Sequence, residues 1–340
     1  MRLPQTRGPL SAALVALLRR SPGEVELPEA SGPPADTCHD EDLQLALYVC
    51  YELHYQGFAG VDDRWEWQPA LLRFRARLEE RFERDLRALV PRRPAVPPQD
   101  LPRALAHLAA TAEGPSLATY VQRNATLEQF TEFVVHRSIY NLKEADPHTW
   151  VIPRVRGAIK AALVEIQADE YGDGRPEWMH SALFAETMRG LGLDDGYGAF
   201  LDDVPAITLA TNNLMSMFGL HRRWRGAALG HLAAFELTSS LPNRRYGNGL
   251  RRLLGDAAPT RFYDEHVTAD AVHEQIALHD MCGTFAALEP DAVPDVLFGA
   301  ACCLALDRLF AEHVLDRWGR GETSLYRGGA AVHRPERVGA

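Results

Sequence analysis

Helical periodicity runs through most of this sequence, and the alternation of apolar and polar residues that marks a β-strand is nearly absent. Apolar residues recur at helical spacing in segments that Pro and Gly residues separate. The predicted helices cover roughly residues 41–57, 69–90, 99–112, 126–143, 153–171, 177–190, 203–218, 223–240, 244–254, 259–282 and 291–318. The sequence therefore predicts an all-α protein built as a helical bundle. Such bundles hold metal ions with acidic and histidine side chains on facing helices.

The composition is that of a soluble globular protein. Of 340 residues, 46% are apolar and 24% are charged. The net charge of −10 argues against binding to nucleic acid or to an anionic membrane, since both attract basic surfaces. No apolar run approaches the roughly 20 residues that cross a bilayer. None of the five cysteines lies in a Cys-x-x-Cys pair, so we expect a cytoplasmic protein.

One predicted helix carries a group of metal-ligand side chains: His266, Asp270 and His273. At about 100° of rotation per residue, all three fall within roughly 60° of one another on one helix face. Two imidazoles and a carboxylate suit first-row transition metals, above all iron that keeps open positions for oxygen. A lone histidine on a helix is more often a core or surface residue, but three such side chains on one face are less common. This helix is interpreted as half of a metal site.

Candidates for the other half lie on the preceding predicted helices. Glu236 stands among apolar residues, where a carboxylate is expensive unless it is paired or binds a metal; a solvated helix edge is the alternative. Glu170 and His180 flank one short turn, which can bring both side chains to one centre, although an acid at a helix end is often simply solvated. Glu144 follows the next helix upstream, and Glu132 on that helix competes with it, because spacing does not separate the two.

Together these residues resemble the haem-oxygenase-like diiron oxidases, also called iron-containing redox enzymes, over roughly residues 126–318. The His-x3-Asp-x2-His helix resembles the last ligand helix of that family. Glu236, His180 and Glu144 precede it in the order and at the intervals of the family's other ligands. Glu170 resembles an extra carboxylate ligand that some N-oxygenating members add.

The resemblance implies a haem-oxygenase-like seven-helix bundle that binds two Fe(II) ions and uses O2 as co-substrate. It assigns the ligands to two irons that share Glu236: Glu144, His180 and His273 on one side, and His266 and Asp270 on the other. Residues 126–318 would form this diiron domain. Residues 1–125 have no clear counterpart in the family core, so they are expected to form a helical extension packed on it. Residues 319–340, which include five glycines, are expected to form a flexible C-terminal tail.

The family's reactions set the expected function: an O2-dependent oxidase or oxygenase acting on a small amine, guanidine or amino-acid-like substrate in natural-product biosynthesis. The reaction would be N-oxygenation or oxidative C–C or C–N cleavage. The expected partner is a small molecule; a homodimer and an external reductase stay open. Four arginines beside the ligand helices are candidates to hold a substrate carboxylate: Arg154, Arg156, Arg244 and Arg245. The alternatives are a metal-free helical interaction protein and a non-diiron member of the haem-oxygenase or thiaminase-like fold.

Overall fold

The computed structural model describes residues 1–23, 36–91 and 93–326, apart from the side chains of residues 270 and 271. Within these residues all regular structure is helical, and no strand occurs, which confirms the all-α class. In the same part of the chain, no helix combines the length and the apolar character needed to cross a bilayer. The predicted tail lies outside the described residues from position 327 onward.

The N-terminal part of the chain forms α-helices joined by loops and short 3-10 turns. They are α1 (Pro9–Leu18), α2 (Glu41–Glu52), α3 (Pro69–Leu89), α4 (Leu101–Ala110) and α5 (Leu117–Arg123). Asp40 caps α2 by accepting a hydrogen bond from the backbone N–H of Leu43. Every residue of α2 from Leu43 to Glu52 is buried, so this helix lies inside the molecule rather than on its surface.

The remaining helices carry the candidate ligands and their supports. They are α6 (Leu127–Asn141), α7 (Asp146–Thr149), α8 (Gly157–Glu170), α9 (His180–Gly190), α10 (Ala206–Leu220), α11 (Arg225–Leu237), α12 (Ser240–Leu254), α13 (Arg261–Gln275), α14 (Thr284–Leu288) and α15 (Val293–Gly319). A capping box between Thr126 and Gln129 begins α6. A π-helical segment, Ile276–Gly283, continues α13 into α14.

Two glycines let α11 and α15 cross with their backbones in contact. A Cβ atom on Gly230 would lie 1.9 Å from the carbonyl oxygen of Val296, and one on Gly299 would lie 1.9 Å from that of Ala227. Any side chain larger than hydrogen would push the helices apart. The crossing therefore fixes α11, which carries Glu236, against the longest helix of the described chain.

One contiguous apolar core joins the N-terminal helices to the rest of the chain. It extends from Leu10 on α1 to Leu325 beyond α15. Within it α2 packs against α10, and α5 packs against α12. The helices of residues 1–125 thus lie on the part of the chain that carries the candidate ligands; the boundaries between domains stay predictions.

Candidate metal centre

Six of the predicted ligands converge from five parts of the fold. Glu144 lies in the turn after α6, Glu170 ends α8, His180 begins α9, Glu236 is near the end of α11, and His266 and His273 lie on α13. All six side chains are buried. Burying three carboxylates with three imidazoles is unfavourable unless charges pair or a metal binds.

Four of these side chains form a first cluster: Glu144, Glu170, His180 and His266. One ligand atom from each lies within 4.8 Å of the others. His180 Nδ1 lies 2.8 Å from Glu170 Oε2, and His266 Nε2 lies 3.5 Å from Glu144 Oε1. Glu144 Oε2 is buried and accepts no hydrogen bond from the described part of the chain. Such an acceptor fits a site that receives a cation.

A second cluster consists of Glu170, Glu236 and His273, whose ligand atoms also lie within 4.8 Å of one another. His273 Nδ1 lies 3.5 Å from Glu236 Oε2. Glu170 belongs to both clusters, so the two share one carboxylate. Two adjacent sites of carboxylate oxygens and imidazole nitrogens fit a pair of iron ions.

The grouping differs from the one that the resemblance implied. There Glu236 was the shared ligand, and His273 was grouped with Glu144 and His180. In the structure Glu170 is shared, and His266 lies with Glu144. Two helical turns, about 10 Å, separate His266 from His273 along α13, so each imidazole reaches a different cluster.

Outer hydrogen bonds fix both imidazoles of α13. The Nδ1–H of His266 donates to the carbonyl oxygen of Phe262 at 2.8 Å, which turns Nε2 toward Glu144. His273 Nε2 lies 3.1 Å from Asp169 Oδ2, which turns Nδ1 toward Glu236. Metal-binding histidines characteristically have such partners on the second ring nitrogen.

The electrostatics of the second cluster show how strongly its charges interact. Burial raises the pKa of Glu170 and the pKa of Glu236 above the usual range. Burial lowers the pKa of His273, but hydrogen bonds with Asp169 and Glu236 outweigh it and raise this pKa to about 10. The bond from His273 in turn lowers the pKa of Asp169. The carboxylates around His273 therefore favour a positive charge there, which either a proton or a metal ion can supply.

The two remaining sequence candidates are Asp270 and Glu132. Asp270 lies on α13, but its side chain is outside the described residues. Glu132 Oε2 accepts hydrogen bonds from Trp318 Nε1 at 2.8 Å and from the backbone N–H of Ser324 at 2.9 Å. Glu132 thus anchors the segment after α15, while Glu144 is the glutamate that reaches the cluster.

A cavity of about 130 Å³ adjoins the clusters. Acidic and histidine side chains from both clusters line it, together with aromatic and polar residues that include Tyr140, Phe184, Phe235, Tyr246, Arg137 and Asp307. Arg137 Nη2 lies 3.2 Å from Asp307 Oδ1. Arg137 lies on α6, seven residues before Glu144 in the turn that follows, and both side chains line this cavity.

The arginine that lines the cavity is not one of the four predicted from the sequence. Arg154 donates instead to the backbone carbonyls of Gly219 and Leu220. The available signal for Arg137 was its place on the predicted helix 126–143, which Glu144 follows directly.

Comparisons with known proteins assign the chain to a family. The profile of a family described as iron-containing redox enzymes matches residues 131–308, which is more than half of the chain. A nitrosourea synthase from Streptomyces achromogenes subsp. streptozoticus is 26% identical over 161 residues. That match covers 46% of this chain and only 34% of the relative. The chain belongs to the family of iron-containing redox enzymes, and its all-α fold is haem-oxygenase-like.

Proposed function

We propose that this protein is a non-haem diiron, O2-dependent oxidase or oxygenase of natural-product biosynthesis. Its substrate is a small amine, guanidine or amino-acid-like molecule, and its reaction is N-oxygenation or oxidative C–C or C–N cleavage. The observation that carries the proposal is the pair of buried ligand clusters that share Glu170. A single-metal site would not need the second cluster around Glu236 and His273.

The side chains of the two clusters fit two irons, and they divide into three groups. When bound, two ferrous ions supply the electrons that reduce O2. Glu170 would contact both ions, Glu144 with His180 and His266 would hold one, and Glu236 with His273 would hold the other. Tyr140 lines the cavity beside them, and burial raises the pKa of Tyr140 well above its usual range, so the phenol keeps its proton.

The cavity supports a substrate with both apolar and charged groups. Phe184 and Phe235 give it apolar walls that exclude water from the reacting atoms. At the Arg137–Asp307 pair, a guanidinium and a carboxylate face the cavity together, as the binding of a carboxylate and an ammonium group would require. An amino-acid-like substrate meets both requirements.

Two further observations favour oxidation of nitrogen. Glu170 belongs to both clusters, and it resembles the extra carboxylate of N-oxygenating family members. The name of the Streptomyces relative, a nitrosourea synthase, denotes oxidised nitrogen in that protein's product.

A thiaminase-like reaction with a cysteine nucleophile has no support in the structure. All five cysteines are buried. Burial raises the pKa of Cys282 to about 12, so its thiolate is scarce at neutral pH.

The test is an anaerobic titration of the protein with ferrous iron, followed by O2 and a panel of amino acids, guanidines and fatty acids analysed by mass spectrometry. We expect two irons per chain and an oxidised nitrogen product that needs both iron and O2. Several turnovers would require an added reductant. Glu144→Gln should lose iron, whereas the matched control Glu132→Gln should keep it, because Glu132 binds the segment after α15 instead. Wild-type protein that binds no iron, or the same amount as Glu144→Gln, would refute the proposal.

A further inference from the structure

A buried lysine adjoins the ligand Glu144 in sequence. Lys143 is almost fully buried, and its Nζ lies 3.0 Å from Glu52 Oε2, which is also buried. The same Nζ lies 4.7 Å from the ring centre of Tyr48 and 4.5 Å from that of Tyr55, within the range of cation–π attraction. Lysine seldom occupies such a position without a specific partner. These contacts fix the position of the Lys143 ammonium group.

Glu144 differs from the other clustered ligands because it does not lie on a helix. It lies in the turn between α6 and α7, whereas the other five clustered side chains belong to α-helices. The residue after it, Ala145, has a φ of 75°, a conformation that alanine rarely adopts. The Ala145 carbonyl accepts a hydrogen bond from Gln167 Nε2 at 2.8 Å. Backbone strain of this kind persists only where the surroundings hold it.

The groups that hold Lys143 come from outside the family core. Tyr48 and Glu52 lie on α2 and Tyr55 follows it, while the family match begins at residue 131. Tyr197 adds a hydrogen bond of 2.7 Å to Glu52 Oε1 and so fixes the carboxylate that faces Lys143. The N-terminal helices therefore bind the side chain of the residue next to a predicted ligand.

We propose that the N-terminal extension positions Glu144 by binding the neighbouring Lys143 through Glu52, and so sets the affinity of the first metal site. This inference rests on the proposed function, because it assumes that Glu144 binds metal. Lys143 is a positioning residue, since it contacts neither the cavity nor another ligand among the contacts described above. The alternative is an ion pair that stabilises the fold and has no particular effect on either site.

The two clusters separate these alternatives. Glu144 belongs to the first cluster and not to the second. Loss of the Lys143–Glu52 ion pair should therefore weaken one iron site by about 10-fold or more and leave the other unchanged. Loss of an outer hydrogen-bond partner has an effect of this size at metal sites. A merely structural ion pair would change both sites alike or neither.

The experiment is an anaerobic ferrous titration of wild type, Glu144→Gln, Lys143→Met and Lys160→Met. Glu144→Gln identifies the binding step that belongs to the first site. Lys160→Met is the matched control, the same substitution at a half-buried lysine of α8. We expect Lys143→Met to weaken the step that Glu144→Gln weakens, and Lys160→Met to resemble wild type.

A double variant, Glu52→Leu with Lys143→Met, separates stability from positioning. Apolar replacement of a buried ion pair usually leaves stability unchanged or higher, so this variant remains testable if Lys143→Met does not fold. We expect it to unfold at the urea concentration of wild type yet still to bind iron weakly at the first site. Wild-type affinity at that site in either folded variant, or equal weakening of both sites, overturns the inference. Wild-type protein that binds only one iron counts instead against the proposed function, and the comparison with Glu144→Gln still decides the role of Lys143. Wild-type protein that binds no iron overturns both.

Discussion

Gly230 offers the sharpest test of how the fold positions the site. A Cβ on this residue would lie 1.9 Å from the carbonyl oxygen of Val296, 2.7 Å from its carbonyl carbon and 3.0 Å from its Cα. Cβ atoms essentially never approach another heavy atom closer than 3.0 Å. Because the obstacle is backbone, no rotamer change can relieve the clash, and Gly230→Ala must move α11 about 1 Å away from α15.

The expected magnitude follows from two opposing contributions. Alanine stabilises a helix interior by up to about 1 kcal/mol relative to glycine. Overpacking typically costs about 1–3 kcal/mol, and a clash of a side-chain atom with the backbone of another helix belongs at the upper end. We expect Gly230→Ala to lower the free energy of unfolding by about 2 kcal/mol net, measured by urea denaturation. The same shift would move Glu236, whose Oε2 lies 3.5 Å from His273 Nδ1, so iron affinity should fall most at the second cluster.

Gly226→Ala on the same helix is the matched control. The nearest atoms to its added Cβ would be side-chain atoms of Asp295 and Phe285 at 3.3 Å and a carbonyl oxygen at 3.4 Å. Small adjustments relieve such contacts, so its stability should stay within about 1 kcal/mol of wild type. Equal stability of the Gly226 and Gly230 variants would show that the helix crossing does not need a glycine, and the reasoning would be wrong.

Other substitutions test the remaining parts of the site. Glu170→Ala should weaken both steps of the ferrous titration and Glu236→Ala only one, because Glu170 is the shared carboxylate; one affected step in both variants would contradict the grouping. Asp169→Ala should lower iron affinity at the second cluster by about 10–100-fold, since it releases the ring of His273, and an unchanged titration would remove Asp169 from the site. Burial lowers the pKa of His148 from 6.5 to about 4, so its contribution to stability is complete above pH 6.5 and is lost as the pH falls toward 4. Between pH 7.5 and pH 5 this loss is about 2 kcal/mol, and His148→Gln should reduce the pH dependence of urea unfolding by that amount.

The helices that the sequence predicts best are those whose ends carry clear signals. The prediction of 69–90 agrees with α3 at Pro69–Leu89, which begins with a proline in its first turn. The prediction of 126–143 agrees with α6, where a capping box marks the start. In contrast α1, a short apolar run at Pro9–Leu18, is not among the predicted helices. Its helical state depends on burial against α2, which local sequence does not encode.

In the candidate site, too, some features follow from the spacing within one helix, and others depend on how the helices pack. The spacing of His266 and His273 is local, so the sequence alone places both on one helix face. The structure shows that both side chains are buried. Which carboxylate each imidazole meets depends on how α8, α11 and α13 pack, and no spacing within one helix contains that information. The sequence accordingly supplied the set of candidates, while their grouping around Glu170 required the fold.

Glu170 shows that an acid at a helix end need not be solvated. The helix dipole disfavours a carboxylate at the last residue of α8, and in most proteins such a group is solvated. In this protein Glu170 is buried, and burial raises its pKa. The dipole of its own helix disfavours the carboxylate further, because a helix is negative at its C-terminal end. What offsets the penalty comes from α9 and α13, through His180 at 2.8 Å and through His266 and His273, whose charges lower this pKa. A buried acid that destabilises its own helix and faces three imidazoles from two other helices is better explained by a cation between them than by the stability of the apoprotein.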